Sequence, residues 1–130
     1  MNNYLYVAIG SALGGVLRYG ISTLFERRLG EAFPWGTIFI NASGSFLIGL
    51  LFSLAGRDGG PLLGASARAM CLVGVLGGYT TFSSFSLQTL NLLRAGQPGL
   101  AAANVVLSVV VCLLAVWLGH GAARLFGPGN

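Results

Sequence analysis

No lysine occurs in the 130 residues of this sequence, carboxylates number three, and histidine occurs once. Charged residues make up 8% of the chain, against about a quarter in an ordinary soluble domain. So little charge cannot cover the surface of a water-soluble core. The same scarcity argues against enzyme chemistry, because His120 sits near the end of an apolar run without a carboxylate or nucleophile beside it. All seven basic residues are arginines, scattered rather than clustered, so the net charge of +4 gives no reason to expect a nucleic-acid partner. Both cysteines, Cys71 and Cys112, fall within apolar runs, which excludes a disulfide framework as the organising principle. The N-terminus lacks the basic region and small-residue cleavage site of a signal peptide and reads as the start of a retained span.

What the sequence does have is apolar length. Hydrophobic residues make up 55% of the chain and its mean hydropathy is +0.80. This composition predicts an all-α integral membrane protein, a single domain over residues 1–130. Four spans of about 20 residues fill such a chain and leave no room for a soluble domain. They are expected at about 4–25, 34–55, 62–93 and 99–125. Pro34 and Pro98 suit the first turns of the second and fourth helices, and Trp35 suits the membrane interface. The third span is expected to be interrupted at its centre, over residues 77–81, where "GGYTT" sits inside an apolar stretch.

With both termini on one side, that side holds Arg57, Arg68 and Arg124, and the other holds Arg27, Arg28 and Arg94. Balanced arginines give the positive-inside rule nothing to act on. Such a chain can insert both ways, and opposite copies can pair.

Polar residues follow helical spacing within the apolar spans. Thr37, Asn41 and Ser45 form one stripe on the second span, and Asn104, Ser108 and Cys112 form another on the fourth. Hydroxyls in membranes also serve as plain interhelical hydrogen-bond partners. An asparagine amide is harder to leave unpaired in lipid, which points toward a polar path. Gly10 and Gly14 in "GSALG", and Gly44 to Gly49 in "GSFLIG", read as close-packing surfaces. Arg18 lies deep in the first span, where it can snorkel, cap a helix or meet an ion.

A broken membrane helix exposes carbonyls, and unwound carbonyls in transporters coordinate cations. Hard oxygen donors of this kind, with the hydroxyls of Thr80 and Thr81, suit Na⁺ better than a transition metal. Phe82 and Phe85 share one helical face beside the interruption. The positive edge of a phenyl ring can face a small anion without full charge, whereas full charges would trap it.

The string "GGYTTFSSFS" after "VGVL", with "GTIFINASGSFLIG" and "GGVLRYG", resembles the small dual-topology fluoride channels, the Fluc or CrcB family. The resemblance covers all four spans. It implies a passive fluoride-selective channel that exports fluoride across a bacterial inner membrane and lowers its cytoplasmic level. It also implies an antiparallel homodimer in the lipid bilayer, with two pores lined by both subunits. In that family pattern Phe82 and Phe85 supply ring edges along the fluoride path, joined by Asn41, Ser108, Ser84 and Thr81. The backbone carbonyls of Gly77 and Thr80 match positions that hold a structural Na⁺ at the dimer interface. Arg18 matches the family's arginine on the first helix. The sequence departs from the pattern at Ser84, where threonine is usual, and at Gln88, where glutamate is common.

The principal alternative is a small multidrug-type dual-topology transporter, which shares the length and balanced charge. Proton-coupled export of organic cations needs an intramembrane carboxylate. Glu26, Glu31 and Asp58 are all expected at helix ends or in loops. A third reading, a noncatalytic assembly subunit, predicts that the purified chain conducts nothing.

Overall fold

The computed structural model describes residues 2–126 apart from 56–62. Arg57, Asp58 and the expected start of the third span at Leu62 lie outside the described residues. Among the described residues there is no β-strand, and four helical stretches are long and apolar enough to cross a membrane. The first is α1 (Asn3–Leu29) and the second α2 (Trp35–Ala55). The third, Ala65–Arg94, is assembled from α3 (Ala65–Arg68), a π-helical segment Ala69–Val75, α4 (Leu76–Tyr79) and α5 (Phe82–Arg94). The fourth is α6 (Pro98–Phe126). At about 1.5 Å per residue, the 27 residues of α1 and the 29 of α6 exceed the roughly 30 Å of bilayer hydrocarbon.

Local chemistry sets the helix ends. The α1 ladder closes with the Gly30 N–H donating to Glu26 O at 2.9 Å, and Gly30 takes a positive φ of 78°. At the end of α5, Gly96 follows the cap residue Ala95 at φ 71°, and its N–H donates to Leu93 O at 3.0 Å. Pro34 lies just before α2 and its carbonyl accepts from the Ile38 N–H, while Pro98 opens α6.

Lipid gives no hydrophobic drive for helices to associate, so close contact through small residues takes over. Two such seams organise the bundle. α1 packs on the π-helical segment and α4, where a Cβ on Gly10 would come within 2.9 Å of the Gly74 Cα. A Cβ on Gly78 would meet the Ser11 carbonyl. α2 packs on α6 along its length, with Gly49 against the Val116 carbonyl and Gly119 against the Phe46 carbonyl. The glycines of "GSALG" and "GSFLIG" are thus contact surfaces.

Beyond its π-helical segment, the third span is interrupted over a narrower stretch than its composition suggests. Gly77 and Gly78 are helical. The extended residues are Thr80 (φ −75°, ψ 157°) and Thr81 (φ −153°, ψ 111°). Two consecutive extended residues end one helical ladder and start another.

Candidate functional site

Thr80 closes α4 twice, its N–H and its hydroxyl both donating to Leu76 O, at 3.0 and 2.9 Å. Thr81 then caps α5, its Oγ1 accepting from the Ser84 N–H at 3.1 Å, a contact typical of an N-cap threonine. The Thr81 hydroxyl proton goes to Ser84 Oγ at 3.0 Å.

α2 meets this interruption through three neighbouring residues. The Asn41 side chain pairs with the Thr81 main chain at two points: Oδ1 accepts the Thr81 N–H at 2.8 Å, and Nδ2 donates to Thr81 O at 3.0 Å. The Ser43 hydroxyl lies 2.8 Å from the Tyr79 hydroxyl. Gly44 faces the Thr80 methyl group. Residues 79, 80 and 81 are therefore each held by one element.

Beside the interruption is an open cleft of about 410 Å³. Its lining includes Asn41 and Ser45 from α2, Gly77, Thr80 and Thr81 from the third span, Phe82 and Phe85 from α5, and Ser108 and Cys112 from α6. Among the described residues no carboxylate, histidine or arginine lines it. Of the eight residues expected on the anion path or at the cation site, seven line this volume and Ser84 is turned instead toward Thr81. Thr37, Asn104 and Arg18 also lie outside the lining.

The two phenylalanines differ in setting. Phe85 is buried at 9% exposure, while Phe82 is 79% exposed on the single chain. Their ring centroids are 5.2 Å apart with planes inclined by 50°. A tilted pair presents edges rather than a flat stack.

From Ser108 the polar groups continue along the bundle. Ser108 donates to Asn104 Oδ1 at 3.4 Å, and Asn104 Nδ2 donates to Thr89 Oγ1 at 2.9 Å. The Thr89 hydroxyl donates onward to Phe85 O at 2.8 Å. Asn104 is completely buried. Near the far end of α5, a second pocket of about 390 Å³ is lined by Thr37, Gln88, Asn91 and Gln97, with Glu26 and Glu31 also in its wall. Gln88 Oε1 is buried there without a hydrogen-bond partner. Successive turns of α5 thus face the cleft and then this end pocket.

The carbonyls of Gly77 and Thr80 fit a hard cation. Their i+4 partners in an unbroken helix would be the Thr81 and Ser84 N–H groups, and both of these donate elsewhere. Two free carbonyls beside a cleft are the donor type that Na⁺ prefers. Among the described residues no cluster of histidine, cysteine and carboxylate is placed to hold a transition metal.

A family profile described as CrcB-like protein, Camphor Resistance (CrcB), matches residues 5–120. The chain belongs to the CrcB-like family. Among CrcB-like relatives, a protein of Opitutus terrae named fluoride-specific ion channel FluC is 57% identical over 95% of this chain and 93% of its own. Proteins of the same name from Methylocella silvestris and Rhodospirillum rubrum are 55% and 56% identical, over 93% and 97% of this chain and 92% and 98% of theirs. With its four apolar spans, this CrcB-like chain is a multi-pass membrane protein.

Several contacts in the CrcB-like fold were not legible in its sequence. Ser43, Tyr79 and Thr89 lie off the stripes of polar residues, and their partners are 15 to 36 positions away. Gln88 stood out only as a departure from the family pattern. Arg18 is partly buried on α1 and does not line the cleft.

Proposed function

We propose that the chain is a passive, fluoride-selective channel. The observation that carries this reading is the cleft at Thr80 and Thr81, lined by an amide, hydroxyls and phenyl rings with no ionised side chain among the described residues. Fluoride is small, tightly hydrated and a strong hydrogen-bond acceptor. N–H and O–H donors replace its lost water, and neutral donors let it leave. The names borne by relatives more than half identical support the same substrate.

In this reading the anion passes Asn41, Thr81, Phe82, Phe85 and Ser108, with Ser84 supporting Thr81 at the helix start. The chain works as an antiparallel homodimer with two pores. Phe82 supports this, because a ring so exposed on one chain becomes part of a lining when a second copy covers it. Gly77 supports it too, since a Cβ there would meet open space where another backbone can approach. Balanced arginines favour pairing of opposite copies. Na⁺ at the dimer interface would be held by the Gly77 and Thr80 carbonyls, and it would supply fixed positive charge there. The expected setting is a bacterial inner membrane, where export lowers cytoplasmic fluoride.

The multidrug-type alternative loses support from the cleft lining. Glu26 and Glu31 lie in the end pocket, and neither lines the cleft. Fluoride efflux from liposomes holding only the purified chain, followed with a fluoride electrode, tests the proposal. Rapid fluoride loss with chloride retained is the expected result; equal rates for the two ions, or no efflux, would overturn it.

A further inference from the structure

The two carbonyls proposed above as sodium ligands are free for a reason that lies outside the pair. In a continuous helix the Thr81 N–H would donate to Gly77 O and the Ser84 N–H to Thr80 O. Each of these donors is instead taken by a side chain. Asn41 Oδ1 accepts the first at 2.8 Å and Thr81 Oγ1 accepts the second at 3.1 Å. We propose that Asn41 and Thr81 are positioning residues for the cation site, diverting the two N–H groups that would otherwise close the helix over the Gly77 and Thr80 carbonyls.

The geometry favours diversion over chance contact. Asn41 engages both the main-chain N–H and the main-chain carbonyl of Thr81, so it grips that residue on both of its flanking peptide units. This two-point contact satisfies an N–H that has no helix partner at its extended position, in a setting where an unpaired backbone donor costs free energy. Of the two donor hydrogens on the Asn41 amide, one is committed to Thr81 O and one is left for the cleft. Asn41 therefore serves two neighbouring sites. Its acceptor oxygen shapes the cation site and its second N–H faces the anion problem. Thr81 is likewise divided: its Oγ1 accepts from the Ser84 N–H while its hydroxyl proton goes to Ser84 Oγ. With either acceptor gone, the released N–H is held less tightly: it opens to water more often, and in between it samples the carbonyl four residues back and so competes with a cation.

This inference rests on the sodium reading, so its test separates the two. Purified full-length protein is compared with Asn41→Ala, Thr81→Val and Thr81→Ser. Thermal stability is followed against sodium concentration at constant ionic strength, and amide exchange at Thr81 and Ser84 is followed by NMR. Asn41→Ala and Thr81→Val are expected to raise the sodium midpoint about tenfold, the scale of one ordinary hydrogen bond. Thr81→Ser keeps the accepting oxygen and is expected to retain the wild-type midpoint. Exchange at Thr81 should quicken in Asn41→Ala, and at Ser84 in Thr81→Val. An unchanged sodium midpoint in Asn41→Ala, with fluoride efflux lost, would assign Asn41 to the anion alone and overturn the proposal. Unchanged Thr81 exchange in Asn41→Ala would overturn the diversion itself. Wild-type protein that sodium does not stabilise, yet with Thr81 exchange dependent on Asn41, would sink the sodium reading and leave the backbone contact standing. Should Asn41→Ala fail to fold, the contrast between Thr81→Val and Thr81→Ser decides the matter.

Discussion

Gly44 and Thr80 stand so close that a Cβ on residue 44 would overlap the Thr80 Cγ2 methyl group. That methyl cannot simply rotate away, because the Thr80 hydroxyl is bonded to Leu76 O at 2.9 Å. Gly44→Ala should therefore push α2 off the interruption, at a cost of about 1–3 kcal/mol. Fluoride efflux should fall with it. Thr80→Ser deletes the offending methyl and keeps the hydroxyl, so the double variant Gly44→Ala/Thr80→Ser should recover both melting temperature and flux.

Two adjacent glycines on α1 make opposite demands. A Cβ on Gly14 would collide with the Val75 carbonyl, whereas one on Gly15 meets open space. Backbone cannot yield as a side chain does. Gly14→Ala should destabilise by about 1–3 kcal/mol through overpacking. Gly15→Ala should be neutral or slightly stabilising, by up to about 1 kcal/mol of helix propensity. Thermal melts of the purified variants in detergent check the contrast.

Phe82 and Phe85 should separate stability from conduction. Phe85 is buried and Phe82 largely exposed on the single chain. Phe85→Ile should lower both melting temperature and fluoride efflux. Phe82→Ile should lower efflux while leaving the stability of monomeric protein within about 0.5 kcal/mol, as for an exposed position. Retained efflux in both variants would remove the rings from the anion's route.

Gln88 carries a buried oxygen with no partner. Such an acceptor costs about 1–3 kcal/mol relative to a satisfied or apolar group. Gln88→Met, similar in length and without the acceptor, is expected to raise the melting temperature. A drop in stability would mean that the amide has a partner in the folded protein.

Glu26 and Glu31 offer a test against cation antiport. Both line the end pocket rather than the cleft. Neutralising them as Glu26→Gln/Glu31→Gln should leave fluoride efflux within about threefold of wild type, with any change upward as negative potential at the mouth is relieved. Loss of flux, or drug-driven proton movement abolished by the double variant, would point to carboxylate-based transport.

The spans were legible because apolar length and proline at helix starts are local signals. Pro34 and Pro98 stand where α2 and α6 begin, as their fixed φ and missing N–H dictate. The interruption was legible in region but not in mechanism. Gly77 and Gly78 drew attention as weak helix formers, yet both are helical, and Gly78 is small because Ser11 of α1 presses on it. The extended residues follow them, held by Asn41 from 40 positions away. No period in the sequence reports such a contact. Polar stripes on α2 and α6 were visible as repeats of four, so Asn41, Ser45, Ser108 and Cys112 could be grouped before their shared cleft was known. Thr89 and Tyr79 could not, because their partners come from other helices.

Where Gly49 meets the Val116 carbonyl and Gly119 meets the Phe46 carbonyl, α2 and α6 touch main chain to main chain. A gap able to admit even one water needs a volume of roughly 10–15 Å³, and contact this tight closes it. The seam therefore works as insulation. A bulkier residue at Gly49 or Gly119 is expected to hold the two helices apart, so that selectivity falls through residues that never meet the permeating anion.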